Sequence, residues 1–248
     1  MAGHSQFKNI MYRKGAQDAK RAKVFGRIIR ELTVAARGGD DPAANPRLRA
    51  AIANARNQNM PKDTLERAVK RGAGDDDGTV FEDIRYEGYG PGGVAIIVEA
   101  LTDNRNRTVS GIRAAFNKYN GSLGETNSVS FMFDRVGQVL YDADVADEET
   151  MFEAALEAGA GNVESDSGGH EITCAPDDLN TVREALEERF GAARESGLTW
   201  KPQNQTPVDG RNAETLFKLL DALDDNDDVQ SVASNFDVAE DVLGALGA

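Results

Sequence analysis

The spacing of apolar residues changes near residue 80, and that change divides what the chain can fold into. Before it, Val24, Ile28 and Leu32 recur every four positions with Ala35 on the same side. This is one face of an α-helix running from about Gln17 to Arg37. Gly38-Gly39 supplies its stop. Asn45-Pro46 reads as an N-cap followed by a proline at the first helical position, and Leu48, Ile52 and Ala55 line a second helix. Pro61 opens a third, which carries Leu65 and Val69 and is closed by Gly72. Three amphipathic helices with short connections make a small bundle.

After the Gly/Asp-rich stretch 72–79, read as an acidic hinge, strands appear. Phe81 to Tyr89 and Val94 to Leu101 are expected strands around Gly90-Pro91-Gly92-Gly93. A helix over about 104–119 and a strand over Val129 to Phe133 follow. From Val136 the order is strand, helix (148–158), strand (162–165), strand (171–175), helix (178–190), strand (192–200), the βαββαβ plait of ferredoxin-like domains. Beyond the Pro202-to-Pro207 linker, a helix (213–223) and a strand (229–234) would complete the sheet begun earlier. The expected fold is α+β and multidomain: a basic helical domain (1–76), a discontinuous α/β domain (80–133 and 205–248) and an inserted βαββαβ domain (134–204), both α/β domains of ferredoxin-like type.

The net charge of −14 hides a segregation. Residues 1–74 hold 16 Lys and Arg against 6 Asp and Glu, a balance of +10; residues 75–248 carry 12 against 36, a balance of −24. Such asymmetry points to nucleic-acid contact. Physiological salt screens charge over about 8 Å, so a basic face need not feel a distant acidic domain. On the first helix, Lys20, Lys23, Arg27, Arg30 and Arg37 fall in one stripe opposite the apolar side. Arg13 and Lys14 precede it. These seven are the expected phosphate contacts; five stripe contacts to B-DNA would give a slope of log affinity against log salt of about −4.5.

A secondary anion or partner site is read at Arg105 and Arg107, where free N–H groups at a helix start favour anions. The competing reading is that Asp103 or Asn104 only caps that helix. Tyr89 and Pro91 form a turn tip that could touch a partner. Asn54, Asn57, Gln58 and Asn59 could address base edges or simply end a helix. With no clear recognition helix, backbone and shape recognition are favoured over a sequence code.

Other classes find little support. His4 and His170 are far apart, without metal-ligand spacing, and the aspartates of 75–77 lack the alternation of a calcium loop. Neither a Walker loop nor a Gly-x-Ser-x-Gly elbow occurs. Gly88-Tyr89-Gly90-Pro91-Gly92-Gly93 fits a dinucleotide fingerprint literally but precedes a strand, so it reads as a hairpin turn. Cys174, the one cysteine, lies in an alternating strand pattern and fits a reducing compartment. The expectation is a cytoplasmic, monomeric, non-enzymatic protein with no cofactor, metal, small-molecule substrate or membrane span.

Several stretches together resemble the YebC family: Met1-Ala2-Gly3-His4-Ser5, Ala16-Gln17-Asp18-Ala19-Lys20-Arg21, Asp41-Pro42-Ala43-Ala44-Asn45-Pro46-Arg47-Leu48-Arg49, Asn59-Met60-Pro61-Lys62-Asp63, Tyr86-Glu87-Gly88-Tyr89-Gly90-Pro91-Gly92-Gly93-Val94, Leu101-Thr102-Asp103-Asn104-Arg105-Asn106-Arg107-Thr108 and Asn235-Phe236-Asp237. Phe7 departs from the tryptophan usual in the family. The resemblance implies a helical domain plus two α/β domains, the last inserted into the middle one, and no known catalysis. It also implies one of two functions. The first is DNA binding with control of transcription. The second is translation: the mitochondrial branch resembles a translational activator, and bacterial relatives resemble ribosome-associated factors that ease synthesis of proline-rich stretches.

Overall fold

The computed structural model describes residues 17–74 and 80–239, with side chains from Ala22 onward in the first helix. Helices α1 (Gln17–Ala36), α2 (Pro46–Asn57) and α3 (Lys62–Ala73) form the amino-terminal bundle. Its core is small-residue-rich: Ile28, Leu32, Ala35 and Ala36 of α1 meet Leu48, Ala51 and Ala55 of α2 and Ala68 of α3. Asn45 starts α2 as a true cap, its side chain accepting from the Leu48 N–H at 3.0 Å.

Gly72 does not end α3. It lies inside the helix and is buried against α1. A methyl group there would stand 2.1 Å from the Thr33 carbonyl oxygen and 2.8 Å from the Ala36 Cβ. The absent side chain is what lets the two helices touch, and Thr33 Oγ1 reaches the Ala68 carbonyl at 3.4 Å across the same seam. Gly72→Ala is therefore expected to lower unfolding free energy by about 1–3 kcal/mol, the usual effect of overpacking a close contact. Denaturant unfolding of the full chain measures it.

The middle unit is a four-stranded antiparallel sheet in the order β3-β1-β2-β9, from β1 (Glu82–Tyr89), β2 (Ala95–Thr102), β3 (Ser122–Leu123) and β9 (Val229–Ser234). Helices α4 (Arg105–Lys118) and α7 (Gly210–Asp224) cover one face, packing Ile112, Phe116, Leu216, Leu219 and Leu223 on Tyr86, Ile96, Val98 and Ala100. A two-stranded parallel pair, β8 (Thr206–Pro207) and β10 (Phe236–Asp237), closes one end.

Between them in sequence lies β4 (Phe133–Tyr141), α5 (Glu148–Glu157), β5 (Asn162–Asp166), β6 (Gly169–Cys174), α6 (Leu179–Phe190) and β7 (Glu195–Pro202). Its sheet order is β5-β6-β4-β7, all antiparallel, the plait that the βαββαβ pattern demands. The two sheets meet where Ala95, Ile97, Val129, Phe133 and Trp200 pack together. The guanidinium groups of Arg85 (5.1 Å) and Arg135 (5.0 Å) both lie over the Trp200 ring. Its Nε1 donates to Glu99 at 3.1 Å.

The expected strand over Val129 to Phe133 is not one. Ser130–Met132 form a single tight helical turn, and the strand begins only at Phe133. The reason is Glu87, whose fully buried carboxylate accepts the N–H groups of Val129 and Ser130, both at 2.9 Å. Those donors are taken and cannot join a ladder. Burial alone would push the Glu87 carboxyl up, but these backbone donors and the adjacent Arg85 hold it below its ordinary range.

Candidate nucleic-acid interface

The stripe exists as the helical period requires, but it does not face solvent. Lys23, Arg27 and Arg30 point across α1 at the turn that follows α7, Asp224-Asp225-Asn226-Asp227-Asp228. Lys23 pairs with Asp225. Arg27 bonds the Asp224 carboxylate at 3.0 Å and also donates to the Asp224 carbonyl. Arg30 donates to the carbonyls of Asp227 and Leu101 and lies 3.3 Å from the Asp228 carboxylate. The last turn of α7 contains no basic residue of its own. Its unpaired carbonyls and negative dipole end are instead met by cations of α1. Arg30 and Arg37 also lie over the Phe81 ring, at 5.8 and 5.7 Å.

The expectation of a free phosphate-binding face at Lys23, Arg27 and Arg30 is thus corrected. These side chains hold the bundle to the middle unit. Arg13 and Lys14 lie outside the described residues, as does the side chain of Lys20.

The second expected anion site meets the same partner. Arg107, on the first turn of α4, reaches both Asp228 oxygens at 2.9 Å and Asp103 at 2.8 Å. Thr108 Oγ1 donates to Asp228 at 2.7 Å. The anion for this helix start is therefore the protein's own, and Asn104 performs the cap, accepting from the Arg107 N–H at 3.0 Å. Burial would raise the Asp228 carboxyl; the bonds from Thr108 and Arg107 and the charges of Arg107 and Arg30 outweigh it and hold it low. Arg107 is shifted upward, mainly through its hydrogen bond to Asp228. Arg105 stays exposed at the helix start.

Tyr89 and Pro91 are not an exposed tip. Pro91 is buried, and the Tyr89 hydroxyl donates to the Ser128 carbonyl at 3.2 Å. The glycines serve the hairpin: Gly92 and Gly93 take φ of 76° and 77°, which disfavour side chains. Asn57 donates to the Ala193 carbonyl at 2.8 Å, docking α2 on the inserted unit, and Asn59 takes a left-handed φ of 54° in the following turn. They end a helix, as the second of their two readings has it. His170 is buried between Ser165 Oγ (2.8 Å) and the Ala146 carbonyl (3.0 Å). Cys174 is buried in β6, and burial pushes its thiol up.

Cations that remain open gather elsewhere on the bundle. Lys70 projects from α3 opposite buried Ala68 and Gly72, Arg67 and Arg71 flank it, and all three are exposed. Among the described residues Arg67 is tied only to its own helix, through the Asp63 carbonyl at 3.0 Å and Thr64 at 3.3 Å. Lys70, Arg71 and the exposed Arg56 make no ion pair among the described residues. By contrast Arg47 is held by Glu31 and Asp83, and Arg49 by the carbonyls of Pro42 and Ala43. The outer face of α3 is the part of the described bundle best suited to phosphates.

From the sequence alone these α3 cations count only toward the +10 balance of residues 1–74, and the acidic turn passes unremarked. The available signal was four aspartates in five residues directly after an amphipathic helix, an arrangement that opposes the helix dipole unless cations arrive from elsewhere.

Among the described residues, no group of three or more His, Cys, Asp or Glu is placed to hold a metal ion, and no helix is long and apolar enough to cross a membrane. Two family models match the chain. The TACO1/YebC N-terminal domain matches residues 5–75, and the TACO1/YebC second and third domain matches residues 81–236. Among solved structures, the chain is similar to a conserved hypothetical protein, Aq1575, from Aquifex aeolicus. The two are 45% identical with a TM-score of 0.85, over 90% of this chain and 93% of that one.

Proposed function

The chain belongs to the TACO1/YebC family, and we propose that it is a non-enzymatic, cytoplasmic regulator of gene expression that holds nucleic acid by its sugar–phosphate chain. The observation that carries this reading is the open cationic face of α3, in an amino-terminal segment (residues 1–74) with a balance of +10 within a chain of −14. Each lysine or arginine that neutralises a phosphate releases counterions, and that release drives binding without reading bases. In the transcriptional form of this function the target is duplex DNA. A translational form, in which the bundle grips ribosomal RNA, is favoured by a specific observation: Asn57, at the end of α2, spends its side-chain amide on the Ala193 carbonyl instead of presenting it to base edges.

Binding of the pure protein to promoter duplexes, random duplexes and intact ribosomes at physiological salt tests the proposal. The expected result is that promoter and random duplexes are bound alike. Ribosome binding well above that level selects the translational form. A preference for one duplex of about a thousandfold, the low end of specific readout, would contradict recognition by backbone alone.

A further inference from the structure

Resting on the backbone-binding reading above, we infer that the acidic turn 224–228 is an internal stand-in for a phosphodiester chain and covers a latent nucleic-acid site whose releasable cations are Lys23 and Arg27, with Arg30 anchored beside them. These three cations lie within seven residue steps of α1, about 10 Å of helix axis. That length matches roughly three phosphates along one strand. The turn meets each cation with one carboxylate, as phosphates of such a strand would: Asp225 to Lys23, Asp224 to Arg27, Asp228 to Arg30.

The contacts differ in how firmly they are made. Asp228 is buried, with a side chain 5% exposed, and is fixed by Arg107 and Thr108 whether or not Arg30 is present. Asp224 and Asp225 are 46% and 69% exposed, and their partners are themselves partly solvated. Such pairs contribute little net free energy and weaken as salt rises. A cleft of about 420 Å³ lies between α1 and the turn, lined by Lys23, Gly26, Arg27, Arg30, Asn226 and Asp227. A polyanion entering there exchanges one set of weak ion pairs for another and gains the release of its own counterions. The Asp224–Asp225 end yields while Asp228 stays seated, so the closed form limits binding to the α3 face and the opened form adds Lys23 and Arg27.

The test compares the full chain with the double variant Asp224→Asn/Asp225→Asn, by fluorescence anisotropy on a random-sequence duplex across a salt series. Two added phosphate contacts steepen the salt slope by about 1.8, which corresponds to about 30-fold tighter binding at 0.15 M relative to 1 M salt. Glu148→Gln/Glu149→Gln, on the exposed surface of the inserted unit, removes the same charge and is expected to leave the slope unchanged. Adding Lys23→Gln/Arg27→Gln to the aspartate variant should abolish the gain. In the unmodified protein, backbone amide exchange at 225–227 should quicken when the duplex is added, while that at 228–229 stays slow.

An unchanged slope in the aspartate variant, or an equal gain from the Glu148/Glu149 control, overturns the latent site while leaving binding through α3 intact. No binding by either the unmodified chain or the aspartate variant overturns both this inference and the function on which it rests.

Discussion

Replacing Arg67, Lys70 and Arg71 together by glutamine is expected to weaken binding to a random-sequence duplex by about 170-fold at 0.15 M salt relative to the loss at 1 M. The magnitude follows from three phosphate contacts, each worth about 0.9 in the slope of log affinity against log salt. The fold should survive the change. All three side chains are exposed on the outer side of α3, and glutamine is a good helix former. Among the described residues, the bonds removed are those of Arg67 to its own helix. A binding loss without a shift in the unfolding transition would therefore place the effect at the interface. An unchanged affinity would assign the open cations of α3 to a solvated surface.

The largest effect on stability is expected at Asp228. It accepts from Thr108, Arg107 and Thr102 and is close to Arg30, so one carboxylate joins α1, the start of α4 and the strand β9 that follows it. Asp228→Ala leaves two arginines facing a site without an anion. Breaking a buried ion pair from one side costs about 3–5 kcal/mol. Arg107 is 55% exposed and Arg30 21%, so water recovers part of that, and a loss of about 2–3 kcal/mol in denaturant unfolding is the expected outcome.

The same carboxylate predicts a pH dependence. Its folded-state value lies below its ordinary one, so its contribution is complete above the unfolded-state value of about 3.9 and is lost as pH falls through the lower folded value. Acid unfolding of the unmodified chain below about pH 4 should accordingly be steeper than that of Asp228→Asn. Parallel curves would show that Asp228 contributes no pH-linked stability.

Much of the architecture was legible because it is written in short-range period. The four-residue recurrence of Val24, Ile28 and Leu32, the cap at Asn45 and the βαββαβ order each depend on neighbours a few residues away. Misreadings arose where a distant residue decides local structure. Val129 reads as a strand because it is apolar and β-branched, yet Glu87, 42 residues earlier, takes its N–H. Gly72 reads as a stop because glycine commonly ends helices, yet here it is a contact surface for Thr33 and Ala36.

The candidate site shows the same limit. A helical wheel places Lys23, Arg27 and Arg30 opposite their own core but says nothing about what a third element puts over them. The covering turn is about 200 residues away, with Lys23 and Asp225 separated by 202 positions. The charge segregation that first suggested an open basic face was equally compatible with an acidic segment of the same chain lying on it. Cys174 and the Gly-rich turn, by contrast, were readable from context, since alternation placed the first in a strand and the following strand made the second a hairpin.

The salt dependence of binding tests the central claim most directly, measured on one random-sequence duplex for the unmodified chain and for the Arg67, Lys70 and Arg71 glutamine variant side by side. If the helical unit grips the sugar–phosphate chain through α3, the slope for the variant is shallower by about 2.7. Equal slopes for the two proteins, or an unmodified chain whose affinity ignores salt, would contradict it.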